Sequence, residues 1–211
     1  MAGTHTIVTD NAIYLASRSP RRQELLRQIG VEFELLGLRS APGRHQDVVE
    51  ETRDGEPPLH YVERIARTKA SVGWSRMLER KLPPRPVLGA DTEVVCDDIV
   101  FGKPADADAA RGMLERLSGR RHDVISAIAL RWQDDVEVAL SVTHVTMRRL
   151  TAREIERYVA SGEPFDKAGG YAIQGRAAMF ITRIDGSYSG VMGLPLAETA
   201  AALARIDRPV L

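Results

Sequence analysis

The stretch AIYLASRSPRRQELLRQIG (residues 12–30) indicates the fold class of the chain. Its first six residues are mostly apolar, as in a short buried strand. Ser19 and Pro20 then stand where a helix would begin, and Gly30 stands where it would end. Serine before the first turn, proline at the first helical position and glycine after the last turn are common helix boundaries. A strand that leads directly into a helix is typical of an α/β protein.

The rest of the chain continues the alternation of strands and helices. Periodicity and capping patterns predict helices over 19–29, 59–80, 106–118, 151–160 and 195–204. Strands are predicted over 12–17, 31–36, 87–90, 123–132, 136–147, 170–173 and 179–184, and a hairpin that turns at Asp97-Asp98 is predicted over 93–101. A polar loop is expected over 38–58. Because several strands form hairpins, we expect an α/β fold with an elongated mixed sheet flanked by helices, as a single domain (1–211) with or without two lobes around a central cleft.

Charge and composition narrow the classes of function. The chain has 211 residues, with 29 Lys plus Arg against 29 Asp plus Glu, so its formal net charge is zero. Zero net charge and 5% aromatic residues argue against binding to nucleic acid or to an anionic membrane. An anionic ligand must therefore be held by a local cluster of charge.

Cysteine use and hydropathy bear on location. Cys96 is the single cysteine, which excludes an internal disulfide and a thiolate metal site and fits a reducing compartment. Residues 1–11 lack a secretory signal pattern, and no apolar run approaches the ~20 residues that a membrane-spanning helix needs. We expect a cytoplasmic protein without a membrane anchor.

Residues 17–22 (SRSPRR) carry the strongest local signal for a ligand. A helix N-terminus offers unpaired N–H groups and partial positive charge, so Ser17, Arg21 and Arg22 in and before the first turn would suit a phosphate. Arginine in a first turn opposes the helix dipole, which favours a bound anion there. An ordinary capped helix with solvated arginines explains the same residues about equally well.

Three further residues fit phosphate chemistry, each with an alternative. Lys69 falls on the apolar face of its helix, where it either extends outward to solvent or points into a cleft. Asp91 is predicted at the end of the strand 87–90, where it would hold a divalent metal, activate water, or simply belong to a turn. Lys103 lies in a Gly-Lys-Pro sequence that is not a Walker loop, because proline follows the lysine.

Missing motifs exclude other chemistries. The five histidines have no zinc-binding spacing, and the chain has neither a G-x-S-x-G elbow nor a G-x-G-x-x-G loop after a strand. A zinc enzyme, a serine hydrolase and a dinucleotide-binding fold are therefore not indicated.

Taken in order, six segments resemble the Maf family over nearly the whole chain. They are LASRSPRRQELL (15–26), RIARTKA (64–70), GADTEVVCDDIVFGKP (89–104), MLERLSGRRHDV (113–124), EPFDKAGGYAIQG (163–175) and GSYSGVMGLPL (186–196). The resemblance implies a fold shared with the inosine-triphosphate pyrophosphatases. It also implies hydrolysis of a nucleoside triphosphate substrate to the monophosphate and pyrophosphate with a divalent cation, Mg²⁺ or Mn²⁺.

The resemblance also assigns residue roles. Asp91 would be the general base or a metal ligand, and Glu51 would be a second metal ligand, a role that Glu50 is equally able to fill. The triphosphate would be bound by Ser17 and neutralised by basic residues, namely Arg21, Arg22, Lys69 and Lys103.

Substrate choice follows from the segment Ala172–Gly175, which resembles the branch of the family that acts on dTTP and UTP. Arg21, Thr92 and Gln174 match the specificity positions of that branch, and a glutamine amide can pair with a uracil or thymine edge. Modified pyrimidine nucleotides are also candidate substrates. Alternatives are a 7-methyl-GTP pyrophosphatase and a non-catalytic, nucleotide-binding regulator of septum formation. A homodimer is expected by analogy alone.

Overall fold

A computed structural model describes residues 11–39 and 46–211. Seven strands form one mixed sheet in the order β2-β1-β3-β5-β6-β7, and β4 pairs with β3 off this path. The strands are β1 (Ile13–Leu15), β2 (Phe33–Leu35), β3 (Val87–Cys96), β4 (Ile99–Phe101), β5 (Arg121–Trp132), β6 (Asp135–Met147) and β7 (Ile181–Asp185). The helices are α1 (Pro20–Gln28), α2 (Pro58–Glu79), α3 (Ala107–Leu117), α4 (Ala152–Val159), α5 (Tyr188–Met192) and α6 (Leu196–Arg205). The predicted α/β fold with a mixed sheet is confirmed.

The two faces of the sheet are covered by different helices. Odd-numbered residues of β3 face α2, and Val95 packs there with residues such as Ile65 and Ala66. Even-numbered residues face the opposite side, where Leu88 packs with Leu25 of α1 and Leu203 of α6. The alternation of side chains along a strand therefore sends neighbouring residues of β3 into different environments.

Gly89 allows α2 to approach β3 closely. A Cβ atom at this position would lie 2.5 Å from both the carbonyl oxygen of Ala66 and the backbone nitrogen of Ala70. A side chain here would force the helix away from the sheet. The close approach sets the height of α2 above β3, and Lys69, which lies in the same turn of the helix, reaches Asp91.

The start and stop signals read from the sequence describe most helices well. Thr151 and Glu154 form the predicted capping box at the start of α4. Asp106 caps α3, its carboxylate accepting from Ala109 N at 2.8 Å. Ser19 occupies the N-cap position of α1, but its side chain makes no capping hydrogen bond there.

Two strand predictions are wrong. Asp91 does not end a strand, because β3 continues through it to Cys96, paired with β5 along most of its length. Residues 170–173 are not a strand: Ala168–Gly170 form a short 3-10 helix, with Gly169 and Gly170 in the left-handed region, and the following residues are irregular. Two consecutive glycines with positive φ angles turn the backbone there, and this conformation is incompatible with an extended strand.

The predicted loop over 38–58 lies partly outside the described residues. Of the described part, Val48 is buried against the α2 side of the core. Within the ranges that the structure covers, no helix is both long and apolar enough to cross a membrane.

Candidate active site

A gap in strand pairing opens a cavity beside the middle of β3. On one edge β3 pairs with β5 over Val87–Val95, while on the other edge β1 pairs only with Val87 and Leu88. β4 joins that second edge from Val94 onward. Between these two pairings, Asp91 borders a cavity of about 470 Å³. The strand does not end at Asp91, but its parallel partner β1 ends just before it, so the carboxylate still lies at a break in the sheet.

On the α2 side of β3, the cavity holds a carboxylate cluster composed of Glu50, Lys69, Asp91 and Glu93. Lys69 Nζ lies 2.8 Å from both Asp91 Oδ1 and Glu50 Oε1. Lys69 is 9% exposed and Asp91 is 4% exposed, so this lysine points into the cleft and does not extend to solvent.

The carboxylate cluster has unused acceptors. Asp91 Oδ2 and Glu93 Oε2 are buried without a hydrogen-bond partner. Burial, together with the negative charge of Asp91, raises the pKa of Glu93 to about 8. Burial acts to raise the pKa of Glu50, but the neighbouring cations Lys69, Lys103 and Arg22 hold that pKa below its usual value. Near pH 7, Glu93 is therefore held mostly as the neutral acid, and a cation bound in the cluster would displace its proton and use the carboxylate oxygens.

On the opposite side of β3 lies an arginine network composed of Arg22, Thr92, Ser126 and the carbonyls of Gly190 and Gly193, of which Arg22, Thr92 and Gly193 border the cavity. Arg22 Nε donates to Gly193 O at 2.8 Å, and Nη2 donates to Thr92 Oγ1 at 3.3 Å. Thr92 Oγ1 lies 2.8 Å from Ser126 Oγ, which donates to Gly190 O at 2.6 Å. Each of these side chains already has protein partners.

Arg22 is anchored by a third bond, from Nη1 to Ser17 Oγ at 3.2 Å. Burial lowers the pKa of Arg22, opposed by the negative charges of Asp91 and Glu50. A guanidinium keeps its charge under such conditions. Ser17 and Arg22, two residues proposed from the helix start, are thus brought together before any ligand is added.

The other predicted residues line the same cavity, with one exception. Arg21, Lys103 and Gln174 all border it, and Arg21 Nη1 lies 3.4 Å from Asp166 Oδ2. Glu51 does not border the cavity; it is exposed, and its carbonyl oxygen accepts from Arg64 Nη2 at 2.9 Å. The structure brings Glu50 into the site in its place, because Glu50 reaches Lys69.

Three residues that shape the site escaped the sequence analysis. Glu93 lies two residues after Asp91, and since alternate residues of a strand share one face, the spacing itself indicates that both carboxylates face the same side. Ser126 is a lone hydroxyl in an apolar strand, and only its contact with Thr92 reveals its place. Glu163 anchors the segment that follows Gln174: its carboxylate accepts from Arg176 N at 3.0 Å and from Tyr158 Oη at 3.0 Å. No local pattern indicates that contact.

Metal ligands are only partly assembled. Among residues 11–39 and 46–211, no three His, Cys, Asp or Glu side chains lie in an arrangement that could hold a metal ion by themselves. Mg²⁺ commonly takes one or two carboxylates and completes its coordination with water and substrate phosphates. The free oxygens of Asp91 and Glu93 fit that mode of binding.

The chain is similar in sequence to a known family and to several curated proteins over most of its length. A family model described as "Maf-like protein" matches residues 12–206. The dTTP/UTP pyrophosphatase of Nitrosomonas europaea is 53% identical over 193 residues, covering 92% of this chain and 93% of the relative. The protein of the same name from Nitrosospira multiformis is 55% identical over 194 residues, covering 92% and 94%. That from Aromatoleum aromaticum is 53% identical over 199 residues, covering 94% and 97%.

Proposed function

The chain belongs to the Maf family, and from this premise we propose that it hydrolyses dTTP and UTP to the nucleoside monophosphate and pyrophosphate. The observation that carries the proposal is the free oxygen of Asp91. It is buried beside Lys69 in a cavity whose wall includes Arg21, Arg22 and Lys103. A carboxylate acceptor among basic residues is suited to water attack on a phosphate ester or anhydride.

The basic residues bind the triphosphate in this proposal. The start of α1 offers N–H groups, while Arg21, Lys69 and Lys103, which all border the cavity, supply positive charge. Arg22 is held rigidly by its own hydrogen bonds, so it contributes charge at a fixed place without reorganising. Fixed positive charge stabilises the leaving pyrophosphate more than it stabilises the bound ground state.

Asp91 accepts the proton of the attacking water. Lys69 donates to Oδ1, which leaves Oδ2 to accept from water. The water oxygen forms a bond to the α-phosphorus as its proton passes to Asp91. The bond from that phosphorus to the oxygen bridging the β-phosphorus breaks, and pyrophosphate leaves with the electron pair of the broken bond.

A divalent cation, Mg²⁺ or Mn²⁺, completes the site. Asp91, with either Glu50 or Glu93, would hold it together with water and substrate phosphates, and Glu50 takes the place first assigned to Glu51. When bound, the ion supplies charge neutralisation and lowers the pKa of coordinated water. The chain's own part is to keep these oxygens buried and close together.

Base recognition is assigned to Arg21, Thr92 and Gln174. All three border the cavity, and Gln174 is exposed, so its amide is free to turn toward a ligand. An amide that both donates and accepts can pair with the alternating carbonyl and N–H groups of uracil or thymine. The homodimer expected from the family and the absence of nucleic-acid binding stay predictions.

The test is pyrophosphate release from dTTP, UTP, CTP and 7-methyl-GTP, each with Mg²⁺, with Mn²⁺ and with a chelator. We expect metal-dependent release that is fastest for dTTP and UTP. A preference for 7-methyl-GTP would keep the reaction and refute the assignment of Gln174. Nucleotide binding without any release would instead support the regulator of septum formation.

A further inference from the structure

Three hydroxyl side chains lie in one row across the sheet. Thr92 on β3 is the register partner of Ser126 on β5, which is in turn the partner of Ser141 on β6. Thr92 borders the cavity, whereas Ser126 and Ser141 do not. Ser126 is 1% exposed and its hydroxyl makes two hydrogen bonds: one with Thr92, which borders the cavity, and one to Gly190 O, in the segment that continues to Gly193 at the cavity. Of the two contacts, the one with Thr92 is made directly to a residue that borders the cavity.

The direction of each hydrogen bond follows from counting protons. Ser126 Oγ lies 2.6 Å from Gly190 O, and since a carbonyl oxygen cannot donate, Ser126 gives its single proton there. The 2.8 Å bond between Thr92 and Ser126 must then be donated by Thr92. Arg22 Nη2 can only donate, so its 3.3 Å bond uses a lone pair of Thr92 Oγ1. Thr92 Oγ1 then has one lone pair and no proton left for a ligand.

The alternative acceptor for the Thr92 proton is poorer. Thr92 Oγ1 lies 3.3 Å from Gly193 O, but Arg22 Nε already donates to that oxygen at 2.8 Å. Ser126 is both nearer and unoccupied as an acceptor. Without Ser126, the hydroxyl of Thr92 would be free to turn and donate to a ligand.

We propose that Ser126 is a positioning residue that fixes Thr92 as a hydrogen-bond acceptor, so that the site favours bases with a ring N–H over bases with an unprotonated ring nitrogen. The inference rests on the proposed function, in which Thr92 faces the base. Uracil and thymine carry N3–H, which donates to such an acceptor. Cytosine carries a bare N3, which would set lone pair against lone pair.

The test compares kcat/KM for UTP with kcat/KM for CTP in wild type and in Ser126→Ala. We expect the ratio to fall on the order of five- to tenfold, the worth of one neutral hydrogen bond. The change should appear as a higher KM for UTP and a lower KM for CTP. The kcat for UTP should stay nearly constant, because Asp91 projects from the other face of β3. An unchanged ratio in a folded variant would overturn the proposal.

Ser141→Ala is the matched control, since it removes a buried serine hydroxyl from the next strand in the same row. It should leave the ratio unaltered. Thr92→Val should lower the ratio by itself, and adding Ser126→Ala to it should change little more, because Ser126 acts through Thr92. An equal further drop in the double variant would show that Ser126 acts by another route and would refute the inference.

Binding separates this inference from the proposed reaction. Dissociation constants of the non-hydrolysable α,β-imido analogues of UTP and CTP should show the same dependence on Ser126. If wild type releases no pyrophosphate yet prefers the UTP analogue in a Ser126-dependent way, the reaction fails and the inference stands. If hydrolysis occurs with no Ser126 effect in either assay, the inference fails alone.

Discussion

Asp91 and Thr92 are neighbours in sequence, yet β3 projects them into two contrasting regions. On the α2 side, the carboxylate cluster contains buried oxygens of Asp91 and Glu93 that have no partner. On the other side, the arginine network joins Arg22, Thr92 and Ser126 into a chain in which each has protein partners. Both regions border one cavity, but only the first is incomplete.

The difference indicates a division of labour. Buried polar atoms without partners lower stability, so a ligand or cation that binds to the carboxylate cluster should stabilise the protein. The arginine network is already satisfied, so it stays rigid and presents fixed charge and a fixed hydroxyl. Variants in the first region should therefore change turnover, and variants in the second should change stability and affinity.

The largest effect is expected for Asp91→Asn. An amide cannot take the water proton, so kcat should fall on the order of 10³-fold, within the usual range for losing a general base. Folding should persist, because Lys69 keeps its bond to Glu50. Pyrophosphate release and binding of an α,β-imido nucleotide measure the two properties separately.

Asp123→Asn provides the control for this prediction, since Asp123 lies on β5 outside the cavity and pairs with His144. The kcat of Asp123→Asn should stay within about twofold of the wild-type value, as expected for a substitution remote from the reacting groups. A rate for Asp91→Asn close to that of the control would remove Asp91 from the catalytic role.

The second prediction concerns a buried histidine on the same face as the arginine network. His122 Nε2 lies 2.7 Å from Tyr171 Oη, and burial lowers the pKa of His122 to about 4 from the usual 6.5. The unfolded chain binds the proton more tightly, so stability is full above pH 6.5 and falls as the pH drops toward 4. At pH 4 the free energy of unfolding should be lower by about 3 kcal/mol than at neutral pH because of this one protonation site.

Chemical denaturation between pH 4 and 7 measures this loss. In His122→Gln, which retains a polar atom near Tyr171 but cannot titrate, the dependence on pH should become shallower over that window. An equally steep dependence in the variant would assign the acid sensitivity to other groups.

The third prediction compares two adjacent arginines. Arg22→Lys should destabilise the ligand-free protein by about 2 kcal/mol, because one ammonium cannot replace a guanidinium that reaches Gly193, Thr92 and Ser17 at once. Arg21→Lys should change the unfolding free energy by less than about 0.5 kcal/mol, since Arg21 makes one long contact with Asp166. Equal losses in the two variants would contradict the view that the network is a preformed scaffold.

Sequence patterns predicted the helices and the chemistry better than the placement of the site. Lys69 was recognised as unusual because a charge on an apolar helix face is a local signal. The prediction that Asp91 ends a strand is wrong, because the sequence pattern of 87–96 does not reveal where the neighbouring strand β1 ends. The choice between Glu50 and Glu51 depends on how an irregular loop meets α2, which is a tertiary contact. The sequence does not indicate a role for Ser126, because that role depends on its contact with Thr92 on another strand.

The smallest effect is expected where the wall that bears Gln174 is anchored. Glu163 accepts from Tyr158 Oη and from Arg176 N, both at 3.0 Å, and a Cβ on Gly175 would lie 2.2 Å from its carboxylate. Because an amide accepts at one oxygen only, Glu163→Gln can keep the bond from Arg176 N only if its N–H group faces Tyr158 Oη, whose hydroxyl must then turn from donor to acceptor. The cost should be about 1 kcal/mol in stability.

The same change should also loosen the backbone next to Gln174. We therefore expect KM for UTP to rise a few-fold with kcat nearly unchanged, as for a lost binding interaction, on the order of 1 kcal/mol or less. The control is Glu156, an exposed residue of α4 that pairs with Arg111. Glu156→Gln should alter neither KM nor kcat for UTP. A fall in kcat for Glu163→Gln, with KM preserved, would mean that this wall acts on the reacting phosphate and not on the base. That result would mean that the division between residues that act on turnover and residues that act on affinity does not follow the two faces of β3.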